Sequence, residues 1–263
     1  MAPRRRGRMV EGRPSTPPVL ATRGLTRHFG GLIAVRDVAV SLHQGELHAI
    51  IGPNGAGKTT LVNLLSGEIK PTAGHIELDG RAVAGESAWR LARLGVGRSF
   101  QRTNIFAPLT VLENVRLAAQ AVDGSQRNLL RQARHATGLV DKARAALSRA
   151  GLVGVEARIA GTLSHGEQRQ LEIAMTLAGN PKVLLLDEPL AGMGPEESER
   201  MTALLKGLAR EHAVLLIEHD MDFVFAVADW MTVMAEGAVI AEGRPQAIRA
   251  NTAVQQAYLG GHA

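Results

Sequence analysis

A chain of 263 residues with 45% hydrophobic and 21% charged content can bury one large core; it holds no cysteine for a disulfide or a thiolate-bound metal, and no apolar run approaches the roughly 18 residues of a membrane span. The formal net charge of +5 would suit nucleic acid, but Arg4, Arg5, Arg6, Arg8 and Arg13 against Glu11 hold most of it at the very start. The other basic residues are interleaved with acids and aromatics make up only 3%, so no nucleic-acid partner is expected.

Residues 1–18, rich in Arg, Pro, Gly and Ser, are expected to form a disordered basic tail, with Met9 an alternative start. No apolar stretch follows the arginines, so a secretory signal is not expected; attraction to anionic lipid heads is the functional reading of the cluster, a tolerated extension the plainer one. Strands are expected at Val19–Arg23, Val38–Leu42, Glu46–Ile51 and His75–Leu78, separated by turns at Gly30-Gly31, Gln44-Gly45, residues 71–74 and Asp79-Gly80. Phe29, just ahead of Gly30-Gly31, offers a ring either to an adenine face or to the core.

The most informative stretch is Gly52-Pro53-Asn54-Gly55-Ala56-Gly57-Lys58-Thr59, followed by Thr60 and then by Leu61, Leu64 and Leu65 at helical spacing. It matches G-x-x-x-x-G-K-[ST] in the context that pattern requires, a β-branched strand before it and a helix after it. The glycines permit a tight turn, the helix start turns N–H groups and its positive dipole end toward the ligand, and Lys58 adds a full charge. Together these make a cradle for nucleotide phosphates.

From about residue 87 to 161 the texture changes to Ala, Leu, Arg and Gln, with helical periodicity at Val115–Val122 and Leu129–Ala150, so an inserted helical subdomain is expected there. Gln101, in a weakly structured crossing, reads on its own as an ordinary surface amide. Ser164 and Glu167 form an S-x-x-E capping box, and the helix they start is expected to stop near Gly179-Asn180-Pro181. Residues 183–186 are a buried parallel strand in type and end in Asp187 and Glu188; carboxylates there fit Mg²⁺ and water chemistry, since ligands of open α/β sheets lie beyond the strands' C-terminal ends. Ala213–Ile217 repeats the pattern and ends in Glu218-His219-Asp220, which leaves His219 open to either a structural or a chemical role. Met231–Glu242 reads as a hairpin turning at Glu236-Gly237, and Pro245–Leu259 as one closing helix. There is no internal repeat and no second phosphate loop.

In this order and spacing the motifs resemble those of the ATP-binding subunit of an ABC transporter, over about Val19 to Gly260. Gly52–Thr59 is similar to the Walker A loop, Gln101 to the Q-loop, Leu163–Glu167 to the signature motif, Val183–Glu188 to the Walker B strand with its glutamate, and His219 to the switch histidine. Residues 29–35, Arg98-Ser99-Phe100-Gln101 before Phe106, residues 186–193, Ile217-Glu218-His219-Asp220-Met221 and residues 257–260 resemble the longer ATPase of branched-chain amino acid importers, a subfamily that also serves urea and short amides. The implied fold is α/β, a P-loop NTPase (ABC ATPase) core with an antiparallel β subdomain and an inserted α-helical subdomain, in one domain over 19–263.

The resemblance implies ATP and Mg²⁺ as cofactors and direct attack of water on the γ-phosphate. Phe29 would stack on adenine; Gly52, Pro53, Asn54, Gly55, Ala56, Gly57, Lys58, Thr59 and Thr60 would bind the phosphates; Thr59, Asp187 and Gln101 would surround the metal; Glu188 would polarise water and His219 would contact the γ-phosphate. Ser164 and Gly166 would face the ATP of a second ATPase subunit, identical or different. Two transmembrane permeases would dock near Gln101 and the helical insertion on the cytoplasmic face of the membrane, fed by a solute-binding protein. A lipopolysaccharide exporter and a soluble ABC ATPase are the alternatives. The chain departs from the pattern in having His165 at the signature's first glycine position, Gly194 where a D-loop aspartate is usual, and Phe29 in place of the commoner Tyr.

Overall fold

The computed structural model describes residues 16–100, 104–123 and 132–259. The expected tail over 1–18 lies outside these residues except for its last three, and so do Gln101 and the expected helix start at Leu129.

An antiparallel sheet of β1 (Leu20–Phe29), β2 (Leu32–Val38), β3 (Ser41–Leu42), β5 (Ala73–Leu78) and β6 (Arg81–Ala82) runs in the order β2-β1-β5-β6, with β3 also paired to β1. A second sheet holds β4 (Leu47–Ile51), β7 (Val96–Arg98), β8 (Val183–Asp187), β9 (Ala213–Ile217), β10 (Trp230–Ala235) and β11 (Ala238–Gly243) in the order β11-β10-β4-β9-β8-β7. Its neighbours are parallel apart from the β10–β11 hairpin. That hairpin turns at Glu236-Gly237, both in the left-handed region (φ 49° and 79°), as a two-residue hairpin turn requires.

The continuous apolar runs of β8 and β9 follow from cover on both faces. Val183, Leu185, Leu215 and Ile217 pack with α1 (Lys58–Leu65) and the antiparallel sheet. Their neighbours Leu184, Leu186, Val214 and Leu216 pack with the helices α3 (Val111–Val122), α4 (Gln132–Arg149), α5 (His165–Leu177) and α6 (Pro195–Ala209). A smaller cluster sets Ala49, Ile51 and Met231 against α7 (Met221–Val227), α8 (Pro245–Arg249) and α9 (Thr252–Leu259). The strand order places β4, β9 and β8 side by side, so their C-terminal ends, after Ile51, Ile217 and Asp187, open on one edge of the molecule.

The structure departs from the sequence reading in several places. Val38, Val40 and Leu42 are buried alternately as expected of a strand, but Val38 ends the longer strand β2, paired with Leu25, and only Ser41 and Leu42 form β3; the exposed Arg36 and Asp37 (φ 49°) mask the period of β2. Within the expected 87–161 block, α2 (Ala88–Leu94) stops at Gly95 (φ 107°) and leads into β7, an edge strand of the parallel sheet, so helical packing begins beyond Arg98. Residues 245–259 are two helices, α8 and α9, broken at Ala250-Asn251, where Asn251 accepts the Ala253 N–H (2.9 Å) and starts a new helix. Helices α6 and α7 were not anticipated.

Candidate active site

The loop from β4 to α1 is held from two sides. Gly52 (φ 156°) and Gly57 (φ 97°) take backbone angles that disfavour any other residue, and a Cβ on either would lie 2.2 Å from the Met234 carbonyl oxygen or 2.3 Å from that of Ala34. The Gly237 N–H donates to the Ala56 carbonyl (3.1 Å) and the Arg36 N–H to that of Gly237 (2.7 Å), so β2 and the β10–β11 turn clasp the loop. No side chain caps α1, which leaves its first N–H groups free to receive an anion. Lys58 Nζ donates to the carbonyls of Gly52 (2.6 Å) and Pro53 (3.0 Å). Burial lowers the Lys58 pKa, and the carboxylates of Glu188 and Asp187 oppose that shift.

A cleft of about 900 Å³ opens over the loop, lined by Phe29, Asn54, Lys58, Thr59, Thr60 and Glu188 together with Leu32, Arg36 and Glu236. Phe29 is 44% exposed and the Arg27 guanidinium lies 4.6 Å from its ring centre.

Asp187 closes β8 almost fully buried, its N–H facing Ser99 Oγ at 3.4 Å. Burial raises its pKa against the attraction of Arg98, whose own pKa burial lowers. Glu188 follows with a left-handed backbone (φ 49°), its N–H bonded to the Ile217 carbonyl at 2.9 Å. His219 Nδ1 lies 4.0 Å from Glu188 and 3.7 Å from Glu218, close but longer than a hydrogen bond, and its ring is largely exposed. Among the described residues no group of three or more His, Cys, Asp or Glu could hold a metal. Asp187 and the Thr59 hydroxyl nevertheless fit Mg²⁺, a hard cation that takes few protein oxygens and keeps water and phosphate ligands.

The structure therefore brings together Phe29, residues 52–60, Asp187, Glu188 and His219. It does not bring Ser164 or Gly166 to them: these line a separate hollow with Glu197 and Arg200. Ser164 caps α5 with both halves of the capping box, its Oγ accepting the Glu167 N–H (3.2 Å) and its N–H donating to the Glu167 carboxylate (2.8 Å). The same hydroxyl donates to Glu197 at 3.1 Å, and a Cβ on Gly166 would lie 2.6 Å from that carboxylate. Gly194, at the N-cap of α6, offers no side chain. Gln101 lies outside the described residues, but Phe100 before it is fixed on both backbone groups: its N–H donates to Glu172 (2.9 Å) and its carbonyl accepts from Arg169 (2.6 Å), two buried residues of α5 paired at 2.9 Å.

Sequence reasoning missed Glu218, Arg98, Arg169 and Glu172. Each is a charged residue whose burial no local pattern announces. The i, i+3 spacing of Arg169 and Glu172 was the one available signal.

The ABC transporter family pattern matches residues 35–191, and that of the branched-chain amino acid ATP-binding cassette transporters matches residues 238–263. The chain is 42% identical over 250 residues to the high-affinity branched-chain amino acid transport ATP-binding protein LivG of Salmonella typhimurium, covering 92% of this chain and 98% of that one. It is 40% identical over 260 residues to BraF of Pseudomonas aeruginosa, named in the same terms, with the same coverage. An ATP-binding cassette of an ABC transporter solved in its ADP conformation superposes with a TM-score of 0.82 at 30% identity, covering 93% of this chain and 100% of that one. A bacterial ABC transporter cassette solved as a dimer gives 0.73 at 25%, over 86% and 98%.

Proposed function

This chain belongs to the ATP-binding subunits of ABC transporters, and we propose that its hydrolysis of ATP powers import of branched-chain or closely related amino acids. The observation that carries the reading is the convergence of the phosphate loop, Glu188 and His219 at the adjacent ends of β4, β8 and β9. The sequence match over 238–263 favours an amino acid importer over a lipopolysaccharide exporter.

ATP enters with its base against the exposed ring of Phe29 and its phosphates in the loop, where the start of α1 and Lys58 neutralise charge. Lys58 is held at the loop by two carbonyls, and Glu188 and Asp187 favour its charged form against burial. Glu188 draws a proton from water as the water oxygen bonds to the γ-phosphorus. The bond from that phosphorus to the bridging oxygen breaks, and ADP leaves with the electron pair. His219, one step from Glu188, holds the γ-phosphate side of the water. Thr59, Asp187 and Gln101 would hold Mg²⁺, which when bound offsets phosphate charge.

The hollow at Ser164 and Gly166 shares no lining residue with the nucleotide cleft, which supports a second ATPase subunit presenting the equivalent helix end to the cleft described here. Two permeases complete the assembly. Exposed Phe106, Leu109 and Ile159 lie on adjoining segments joined by the Thr110–Ile159 bridge, an apolar surface suited to them. Among the described residues no helix is long and apolar enough to cross a membrane, so attachment to the membrane's cytoplasmic face runs through those partners.

The deciding experiment is Glu188→Gln in the reconstituted complex. ATP binding is retained and steady-state hydrolysis falls by about 100-fold or more, the usual weight of a general base. Unchanged turnover removes the assignment.

A further inference from the structure

Glu218 is 1% exposed, carries a carboxylate, and is not needed by any step above. It lies at the end of β9, one residue before His219 and directly across from the end of β8. Its two oxygens reach in different directions: Oε1 accepts the Leu190 N–H at 3.0 Å and Oε2 accepts the His219 N–H at 3.2 Å. One side chain thus spans the turn that carries Glu188 and the turn that carries His219.

Both turns need such a brace. Glu188 holds a left-handed backbone, a conformation that costs a non-glycine residue free energy and persists only where neighbours over-determine it. On its N-terminal side the Glu188 N–H is tied to Ile217, and two residues later the chain is tied to Glu218. The Ala191 N–H closes the turn on the Glu188 carbonyl at 3.2 Å. His219 has a largely exposed ring, so its direction is set chiefly by its backbone, and Glu218 holds that backbone. Burial pushes the Glu218 carboxyl up by more than the two N–H donors pull it down; the bonds themselves oppose burial, since both oxygens accept in the ionised form.

We propose that Glu218 is a positioning residue for ATP hydrolysis, a buried carboxylate that fixes Glu188 and His219 relative to each other by accepting one N–H from each turn. Its side chain is buried and acts through those two turns. The proposal rests on the reading in which Glu188 and His219 carry the hydrolysis, and it adds a residue through which they are set as a pair.

The test is Glu218→Gln in the reconstituted complex, assayed for ATPase and for equilibrium ATP binding. Glutamine keeps the volume but has one acceptor oxygen, so one N–H faces an amide group instead of an oxygen. Expected is a fall in kcat of about 10- to 100-fold, the loss of one hydrogen bond to a charged acceptor, with KM and ATP affinity changed less than about twofold because the phosphate loop is untouched. Glu218→Asp, one methylene shorter, gives a smaller loss of the same kind and serves where the glutamine variant folds poorly. A double-mutant cycle supplies the second readout: in a His219→Ala background most of the Glu218→Gln effect is gone, since the two act through one geometry. An unchanged kcat, a parallel loss of ATP affinity, or full additivity with His219→Ala overturns the proposal. Glu188→Gln run alongside separates the two levels. If it leaves turnover intact, the catalytic reading itself fails, and if it abolishes turnover while Glu218→Gln does nothing, only the positioning role fails.

Discussion

The phosphate loop and the start of α5 are both helix N-termini, the first opening on the nucleotide cleft and the second proposed to face the nucleotide of another subunit, and they are prepared in opposite ways. At α1 no side chain caps the helix, and the loop's shape comes from backbone squeezed between Ala34 and Met234. At α5 the N-terminus is already surrounded by carboxylates, Glu167 in the capping box and Glu197 on the Ser164 hydroxyl. The first end is rigid and open, the second polar and filled by its own chain. A site that must be ready for nucleotide before any partner arrives is set by backbone, which cannot rearrange cheaply. An end proposed to meet its anion only on assembly can be kept satisfied by side chains, which can move.

The largest effect expected from this contrast is at Gly52. Alanine there would bring a Cβ to 2.2 Å from the Met234 carbonyl oxygen, and only backbone could yield. Gly52→Ala should abolish ATP binding in titration and lower the melting temperature as well, because the loop and the β10–β11 hairpin would have to separate. Retained ATP affinity would mean the loop is adaptable, and the contrast with α5 would collapse.

A smaller effect tests whether the rigid end is built for function at a cost in stability. Asp187 is buried with its pKa raised, so its charged form is disfavoured in the fold even with Arg98 and Lys58 nearby. An acid whose pKa is raised by folding stabilises the fold fully below its unfolded value, near 4, and that contribution is lost as pH rises through the folded value. Asp187→Asn should therefore melt higher than the parent at neutral pH without nucleotide, with the advantage shrinking toward pH 4, while hydrolysis is lost. A variant that melts lower at neutral pH would show that Arg98 needs Asp187 more than burial opposes it.

What the sequence made legible follows the same division. The phosphate loop, the β8 and β9 runs, the Glu236-Gly237 hairpin and the Ser164–Glu167 box are local patterns, in which backbone geometry or period dictates residue type. Glu218, Arg98 and the Arg169–Glu172 pair could not be read, because a buried charge looks the same in sequence as a solvated one and only the fold supplies its partners. Strand β7 was too short to show a period, and β2 carried its polar residues on an edge. Gln101 was legible only by resemblance, and what the structure adds is the clamp on Phe100 beside it.

The smallest effect is at the filled end, and it decides whether the filling matters. Glu197 is half-buried and accepts one hydrogen bond from Ser164 at 3.1 Å. Glutamine at 197 can still accept that bond through its amide oxygen, so Glu197→Gln removes a negative charge that lies beside the α5 N-terminus and in the first turn of α6. Such a charge stabilises a surface helix by about 0.5 kcal/mol at low salt, so the lone chain should melt about 1–2 °C lower, with the difference vanishing in high salt. Assembly should respond in the reverse sense. If the partner's nucleotide brings its own negative charge toward Ser164 and Gly166, Glu197 repels it, and Glu197→Gln should lower the ATP concentration needed for dimerisation by about twofold in a Glu188→Gln background. Sedimentation at a series of ATP concentrations measures that midpoint. A variant that melts lower and also assembles less readily would show that Glu197 shapes the helix end rather than occupying it, and the two N-termini would then be prepared in the same way after all.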